Sequence, residues 1–475
     1  MVFSSVFFLF AFLPTVILCY HAERLLSGNG LRNAVLLLFS YMFYLYGAAG
    51  FLLVLVLSTF ADYLLGLLID RDNRRKRLWL GLSVFLNTGL LVYFKYANFL
   101  IEELREILNS FGLSFVGWEE VIFPIGISFF TFQKLSYVID IYRGKSRPTT
   151  NVVDFSLYVA MFPQLIAGPI IRFSHVSKQL KERKESWNQF HAGAMRFCWG
   201  LAKKVMIANS CGQIADVAFG LDLHNLDTKT AWLGSLAYTL QIYFDFSAYS
   251  DMAIGLGMLF GFRFPENFNL PYSATSITDF WRRWHISLSL WLRDYIYIPL
   301  GGSRRGAFRT YLNLAIVSAV CGIWHGANTT FFLWGLYHGG LLVLERATGL
   351  SDLPPERYFV VRRFATITAV TAGWVLFRSE DISQAIEFLC VMFTPRDFPV
   401  SYQLSLVLNY RNIVFSLIAA TAFFLPGEIS RHGSAMIEKR AVVIAASAVV
   451  ILFLLPYCAA IIAGGPKSSF IYYRF

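Results

Sequence analysis

Long apolar runs separated by short polar stretches are the dominant pattern of this chain. Four early runs are long enough to cross a bilayer as helices, at residues 2–20, 33–69, 78–100 and 121–142. The second run exceeds one span, and the small residues 47–50 divide it into two. Further apolar stretches follow at 152–171, 193–220, 231–262, 311–326, 329–346, 363–378, 411–426 and 440–464. The pattern predicts an all-α polytopic membrane protein with roughly 11–13 transmembrane or membrane-embedded helices.

Composition supports this interpretation. Of the 475 residues 56% are apolar and 15% charged, and the mean hydropathy is +0.53, which leaves too little polar surface for a soluble globule. The formal net charge of +11 would suit nucleic acid, but the basic residues lie in short loops between apolar runs. We therefore expect a single membrane domain over residues 1–475 that contacts lipid and no nucleic acid.

The charged loops predict the orientation in the membrane. Residues 71–77 carry five positive charges beside a span, which places this loop in the cytoplasm. Three spans precede it, so the N-terminus is expected outside. The acidic segment around Glu102 and Glu119 then also lies outside, in agreement. The N-terminus has no basic region, so residues 2–20 are interpreted as a retained span instead of a signal peptide.

The segment near 279–298 has the pattern of an amphipathic helix. Helical spacing places Trp281 and Trp284 on one face, and Arg282 and His285 on another. We predict that this helix lies at the membrane interface, with its aromatic rings at headgroup depth and its guanidinium groups facing water or phosphate.

A histidine interrupts the apolar run that begins near residue 311. An imidazole is costly inside a membrane-compatible helix, so His325 needs a reason to be there. Ser318 and Cys321 precede it by seven and four residues, hence on the same helical side. Such small side chains admit either another helix or a thin substrate. On spacing alone, a structural and a functional histidine both stay open.

Residues 241–251 place two carboxylates in a segment that should cross the bilayer. Asp245 and Asp251 lie on two polar stripes, which are expected to face protein or water instead of lipid. They form either a proton relay or ion pairs with arginines such as Arg263 or Arg282. Pairing is the commoner role of buried carboxylates.

Neither cysteines nor histidines suggest a metal site. The six cysteines are scattered singly, without the spacing of a zinc site or a C-x-x-C motif. They are interpreted as small buried hydrophobic residues. This interpretation includes Cys321, although it lies one helical turn before His325. The eight histidines form no visible metal-ligand cluster.

Several motifs in a fixed order carry a family resemblance. They are the strings 165–172, 241–251, 280–289 and 292–302, and the Trp-His-Gly triplet 324–326. Together they resemble the membrane-bound O-acyltransferase family, most closely its bacterial alginate O-acetyltransferase branch. The resemblance covers roughly residues 1–380 and fades after that, so residues 381–475 have no predicted role.

The resemblance implies a catalytic role for His325, because the family's essential histidine falls on this position. A base has to take the proton of the acceptor as the new bond forms. His285 is the second catalytic candidate; it either orients the donor or acceptor or pairs with a carboxylate such as Asp279. Candidate contacts to substrate or donor are Arg172, Asp245, Asp251, Arg282, Arg283, Ser318, Cys321 and Trp324. For Arg172, binding of donor phosphates and an ordinary loop charge remain equally open.

The branch also implies a setting for the reaction. Acetyl would pass from cytoplasmic acetyl-CoA across a bacterial inner membrane to an exported polysaccharide, with alginate the first choice. The implied partners are a periplasmic SGNH-type acetyltransferase and other polysaccharide-modification proteins. Relatives of the fold serve peptidoglycan, cellulose or D-alanylated teichoic acid, so these acceptors stay open. The alternative class is a transporter or channel that uses intramembrane His and Asp residues, which matching interrupted helices in two halves would favour.

Overall fold

The computed structural model of the chain describes residues 1–27, 31–113, 117–350, 353–354, 357–425, 445, 447–464 and 470. Within these ranges every regular element is helical and no strand is present, so the predicted all-α class is confirmed. The contacts group the chain into two compact units. One is Met1–Ala194 with Ala253–Pro265, and the other is Met195–Met252 with Glu266–Phe475.

The first unit holds the helices at the start of the chain. These are α1 (Leu13–Ser27), α2 (Arg32–Ala48), α3 (Leu52–Arg71), α4 (Lys76–Leu91), α5 (Ala97–Ser110), α6 (Ile127–Tyr142), α7 (Val152–Ala160), α8 (Phe173–Lys181) and the first turns of α9 (Trp187–Ala202). A short 3-10 turn at Ala49–Phe51 separates α2 from α3. The predicted division at the small residues is therefore confirmed.

A buried polar cluster connects three helices of this unit. The carboxylate of Asp62, in the middle of α3, accepts hydrogen bonds from Ser83 at 2.5 Å and Asn87 at 2.7 Å, both on α4. The ammonium group of Lys134, on α6, lies 3.5 Å from the same carboxylate. All four side chains are fully buried. Because an isolated charge is costly away from water, these contacts hold α3, α4 and α6 in one arrangement.

The second unit holds the rest of α9 and the helices that follow. In the described part of this unit they are α10 (Asn209–Gly220), α11 (Thr228–Leu259, whose last turns belong to the first unit), α12 (Ile277–Arg283), α13 (Ile286–Leu292), α14 (Ala307–His325), α15 (Thr329–Ala347), α16 (Phe359–Arg378), α17 (Ile382–Phe393), α18 (Tyr402–Val407), α19 (Tyr410–Ala420) and a helix at Leu455–Gly464. π-Helical turns lie at Lys203–Ala208 and Arg293–Tyr297.

In the described residues, five helical stretches are long and apolar enough to cross a membrane. They are Arg32–Arg71, Lys76–Ser110, Ala307–His325, Phe359–Arg378 and Ser447–Gly464. Shorter apolar helices lie at Phe8–Glu23, Ile382–Phe393 and Tyr410–Phe423. The chain is therefore a multi-pass membrane protein, while the count of roughly 11–13 membrane-embedded helices stays a prediction. Of the predicted stretch 440–464, residues 440–444 and 446 lie outside the described part.

The segment 279–298 is not one continuous helix, and this part of the prediction is wrong. Helix α12 ends at Arg283 and α13 begins at Ile286. His285, between them, has left-handed backbone angles of φ 43° and ψ 54°. The preceding loop causes the break, because Ile286 N–H donates to the carbonyl of Asn267 at 3.0 Å. The turn directs the His285 ring into the interior, while Arg282 stays exposed.

Candidate active site

His325 is positioned by close packing of α14 on α15. A Cβ added to Gly322 would collide with the carbonyl of Phe331, and one added to Gly335 would collide with the carbonyl of Ser318. Only glycine therefore permits this approach of the two backbones. The small residues that precede His325 face another helix. The sequence had left open whether they admit a helix or a thin substrate.

The tautomer of His325 follows from its hydrogen bond. The imidazole is buried, and its Nδ1 lies 2.7 Å from the carbonyl oxygen of Cys321. A carbonyl only accepts, so Nδ1 carries a proton, and in a neutral imidazole Nε2 is then the nitrogen with the lone pair. The thiol sulfur of Cys321 is 4.0 Å from the same nitrogen. Cys321 thus orients the ring through its backbone carbonyl.

His285 has the same tautomer for a different reason. Its Nδ1 lies 3.1 Å from Oδ1 of Asn267, and this oxygen also accepts from the backbone N–H of Ser287 at 3.1 Å and its hydroxyl at 2.8 Å. The backbone N–H is an unambiguous donor, so the atom that faces it is the amide oxygen. His285 Nδ1 therefore donates, and Nε2 is the acceptor nitrogen of this ring too.

Aromatic rings surround the two histidines. The ring centre of Trp324 lies 6.0 Å from that of His285 and 4.9 Å from that of His325. Trp334 packs on His325 at 4.9 Å, and Phe246 on His285 at 4.7 Å. Burial lowers the pKa of His285 well below its usual value, and a charge on His325 would lower it further. His285 is therefore held in the neutral form.

The two carboxylates of α11 form ion pairs, but with partners that the sequence did not suggest. Asp245 lies 2.5 Å from the ammonium group of Lys204, and both side chains are nearly fully buried. Asp251 pairs with Arg196 at 2.8 Å and with Lys203. These contacts agree with the pairing role of Asp245 and Asp251 and not with a proton relay.

The arginines proposed from the motifs lie in other environments. Arg282 is exposed on α12, and Arg283 donates to Asp279 at 2.9 Å. Asp279 is thus bonded to Arg283, and the suggested pairing of His285 with Asp279 is wrong. Arg172 is half-buried and immediately precedes α8 in the first unit.

One residue that contacts a site histidine was not recognised from the sequence. Asn267 fixes the tautomer of His285, but a lone amide in a loop carries little signal beyond its position before a motif. His338, on α15, is buried and its ring packs on Trp334 at 5.1 Å and Trp281 at 5.4 Å. Among the described residues, no group of three His, Cys, Asp or Glu side chains is arranged to hold a metal ion.

The structure thus brings two buried histidines together inside a helical membrane protein, and comparisons with known proteins indicate the class to which it belongs. The sequence model of the membrane-bound O-acyltransferase family matches residues 145–350. A probable alginate O-acetylase of Pseudomonas putida is 48% identical over 404 residues, which cover 84% of this chain and 82% of the relative. Its counterpart in Pseudomonas aeruginosa is 47% identical, covering 83% and 75%. A peptidoglycan O-acetyltransferase of Helicobacter pylori is 37% identical, covering 82% and 79%.

The chain belongs to the membrane-bound O-acyltransferase family. It is a multi-pass membrane O-acetyltransferase, as its similarity to the alginate O-acetylases over most of its length indicates. The chain is therefore an enzyme, and the alternative hypothesis of a transporter or channel that uses its His and Asp residues is replaced.

Proposed function

We propose that this protein moves acetyl from cytoplasmic acetyl-CoA towards an exported polysaccharide, alginate, with His325 as the catalytic base. The observation that carries the proposal is the hydrogen bond from His325 Nδ1 to the Cys321 carbonyl, which makes Nε2 the proton-accepting nitrogen. The choice of alginate rests on the two relatives at 47–48% identity, which are described as probable alginate O-acetylases.

The proposed step is acyl transfer assisted by a base. As the hydroxyl oxygen of the acceptor attacks the thioester carbonyl carbon, His325 Nε2 takes the hydroxyl proton. The C–S bond then breaks, and the thiolate of the donor leaves with the proton that the imidazolium returns. The products are an acetyl ester and a free thiol, and His325 is neutral again.

His285 is proposed to orient the reactants and not to stabilise the oxyanion. Oxyanion stabilisation needs a hydrogen-bond donor aimed at the developing charge. In the tautomer that Asn267 enforces, Nε2 of His285 is an acceptor, so it suits a hydroxyl or protonated group. Trp324, which packs on both imidazoles, would limit the access of water to them.

The proposed setting is the bacterial inner membrane, with the N-terminus in the periplasm. The five positive charges of residues 71–77 support this orientation through the positive-inside rule. A periplasmic SGNH-type acetyltransferase is proposed to receive the acetyl group and complete the transfer to sugar hydroxyls, together with other polysaccharide-modification proteins.

A second acceptor deserves a direct comparison, because a peptidoglycan O-acetyltransferase is 37% identical over 82% of this chain. Ester-linked acetate should therefore be measured on both polymers from the same cells. Acetate that depends on this protein and appears on peptidoglycan alone would replace alginate as the proposed acceptor.

The role of His325 as base is tested by measuring acetylation in His325→Ala, at a membrane abundance equal to that of the wild type. His224→Ala is the control. His224 is an exposed histidine outside the site. Removal of a general base is expected to lower acetylation about 10²- to 10⁴-fold, whereas the control keeps wild-type acetylation. Vesicles supplied with labelled acetyl-CoA on the cytoplasmic face should show the same difference. Unchanged acetylation in His325→Ala would contradict the assignment.

A further inference from the structure

A pocket of about 290 Å³ lies in the second unit, and Asn267, the hydrogen-bond partner of His285, is part of its lining. Its lining includes the polar side chains of Ser250 and Asn267. It also includes four charged side chains, those of Arg196, Lys203, Asp251 and Glu266. Neither histidine lines it. Asn267 is therefore shared between the pocket and the proposed active site, since its Oδ1 accepts from His285.

The charged side chains of the pocket neutralise one another. Arg196 forms two bonds to Glu266, at 2.7 and 2.5 Å, and two to Asp251, at 3.0 and 2.8 Å. Lys203 also donates to Asp251. Two cations thus face two carboxylates, and the pocket has no net charge with which to attract a phosphate or another anion.

Two buried polar atoms in the lining have no hydrogen-bond partner among the described residues. They are Nδ2 of Asn267 and Oγ of Ser250, and the two residues are 1% and 2% exposed. Oδ1 of Asn267 is already bonded to His285 and Ser287, so only the NH₂ group of this amide is left to meet a ligand. A buried donor of this kind costs free energy unless an acceptor occupies the pocket.

We propose that this pocket binds a neutral, carbonyl-bearing chain and that Asn267 couples its occupancy to His285. In the proposed function, which this inference presupposes, the chain is the amide-containing arm of the thioester donor. One ligand carbonyl accepts from Asn267 Nδ2, and the hydroxyl of Ser250 bonds a second polar group. Tyr243 and Phe268, also in the lining, cover the apolar parts of the chain.

The coupling follows from the polarisation of an amide that bonds at both ends. A carbonyl that accepts from Nδ2 draws charge towards Oδ1, and the bond from His285 Nδ1 to Oδ1 becomes stronger. The occupied pocket then holds His285 more firmly in the tautomer whose Nε2 accepts. Asn267 is in this sense a positioning residue, since it touches His285 and the arm of the donor but not the reacting carbon.

The binding test uses the purified full-length protein and S-acetylpantetheine, which carries two amide carbonyls, a thioester and no phosphate. Asn267→Asp keeps an oxygen for His285 and Ser287 but replaces the NH₂ donor, so affinity should fall about tenfold or more. Ser250→Ala, on a different element, should weaken binding by a smaller factor. Asn225→Asp, an exposed amide away from the pocket, is the matched control and should bind as wild type.

Two outcomes would overturn the pocket. Wild-type affinity in both Asn267→Asp and Ser250→Ala would show that the probe binds elsewhere. The second outcome is displacement of the probe by adenosine 3′,5′-bisphosphate at similar concentration. If this displacement is lost in Asn267→Asp and Ser250→Ala, the pocket selects an anion instead of a neutral chain.

The coupling has its own readout in protein labelled with ¹⁵N-histidine, where the His285 signals are identified by their loss in His285→Asn. The probe should shift these signals in the wild type and not in Asn267→Asp; binding without a shift would contradict the coupling. All measurements are repeated in His325→Ala, in which turnover is expected to be low and binding to persist. Acetylation that persists in His325→Ala would contradict only the proposed base. Probe affinity that is unchanged by the substitutions at Asn267 and Ser250 would contradict only the proposed ligand pocket.

Discussion

Two buried polar clusters of this protein use the same low-dielectric surroundings in opposite ways. Around Asp62 in the first unit, one carboxylate has three protein partners on two other helices, and one of them is a full charge. In the second unit, His285 and His325 each direct Nδ1–H to a protein oxygen, with Nε2 as the acceptor nitrogen. The first arrangement fixes helices, and the second fixes tautomers.

This difference gives a rule for the buried polar residues of this protein. When donors and a cation surround a carboxylate, its oxygens are already bonded to protein groups. Its removal should therefore affect folding. An imidazole whose Nδ1–H bonds a protein oxygen has Nε2 as its acceptor nitrogen, so its removal is expected to affect turnover. The following substitutions separate the two, from the largest expected effect to the smallest.

The largest effect on stability is expected for Asp62→Leu. It leaves the Lys134 ammonium group buried without its carboxylate, which should cost about 3–5 kcal/mol of unfolding free energy. Asp397→Leu breaks an exposed ion pair with Lys229 and should cost at most about 1 kcal/mol. The measurement is residual folded protein in a detergent-resistance or thermal series. Equal losses of unfolding free energy in Asp62→Leu and Asp397→Leu would contradict the expected difference between a buried and an exposed ion pair.

The double variant Asp62→Leu with Lys134→Met sharpens the same comparison. It removes both charges, so stability should rise above that of Asp62→Leu, with a remaining cost of about 1–3 kcal/mol for each of Ser83 and Asn87, which lose their acceptor. Acetylation per folded molecule should stay at the wild-type level. A folded double variant without activity would assign the first cluster a role in the reaction.

The next effect is expected for His285→Asn. Asparagine tolerates the left-handed backbone angles of this position better than most residues, so the break between α12 and α13 should persist. Loss of the imidazole should lower turnover about tenfold to a hundredfold, as expected for one well-placed hydrogen bond in a buried site. Thermal stability should change little. A variant that unfolds instead would place His285 with the structural cluster.

A smaller effect is expected for Ser287→Ala. This change removes one of the three donors to Asn267 Oδ1, the hydroxyl at 2.8 Å, and keeps the backbone N–H and the bond to His285. A single hydrogen bond of this kind is worth about 1 kcal/mol, so turnover should fall by less than about tenfold. Steady-state acetylation at saturating donor measures it. A loss as large as that of His285→Asn would show that the hydroxyl, and not the amide, positions the ring.

The smallest effect is expected for Cys321→Ala. The backbone carbonyl that orients His325 is unchanged, and the buried thiol is not placed as a nucleophile. Acetylation should remain within about twofold of the wild type, with Cys390→Ala as an exposed control. A loss of orders of magnitude would reopen covalent catalysis by the thiol.

The sequence was sufficient for features that depend on local pattern. It predicted the helical class, the break between α2 and α3 at small residues, and the small face of the helix that ends at His325. These follow from hydrophobic periodicity and from glycine, which act over a few residues. Asp62 and Lys134 were visible as single charges in apolar runs, yet no pattern says which helices bring them together.

The features that were missed depend on contacts between distant parts of the chain. The turn at His285 has no signal in its own residues, because a left-handed histidine is stabilised by the loop that carries Asn267. The partners of Asp245 and Asp251 were misassigned for the same reason. Periodicity places a carboxylate on a helical face, but the identity of the opposing side chain is a property of packing.

The glycine contact between α14 and α15 has a consequence for how the enzyme responds to its lipid environment. Two helices whose backbones pack closely at Gly322 and Gly335 are expected to shift together when the bilayer thins or thickens. His325 lies one turn beyond Gly322. We therefore expect the position of His325 to follow the contact between α14 and α15, so acetylation should tolerate changes in the acyl-chain length of the lipid.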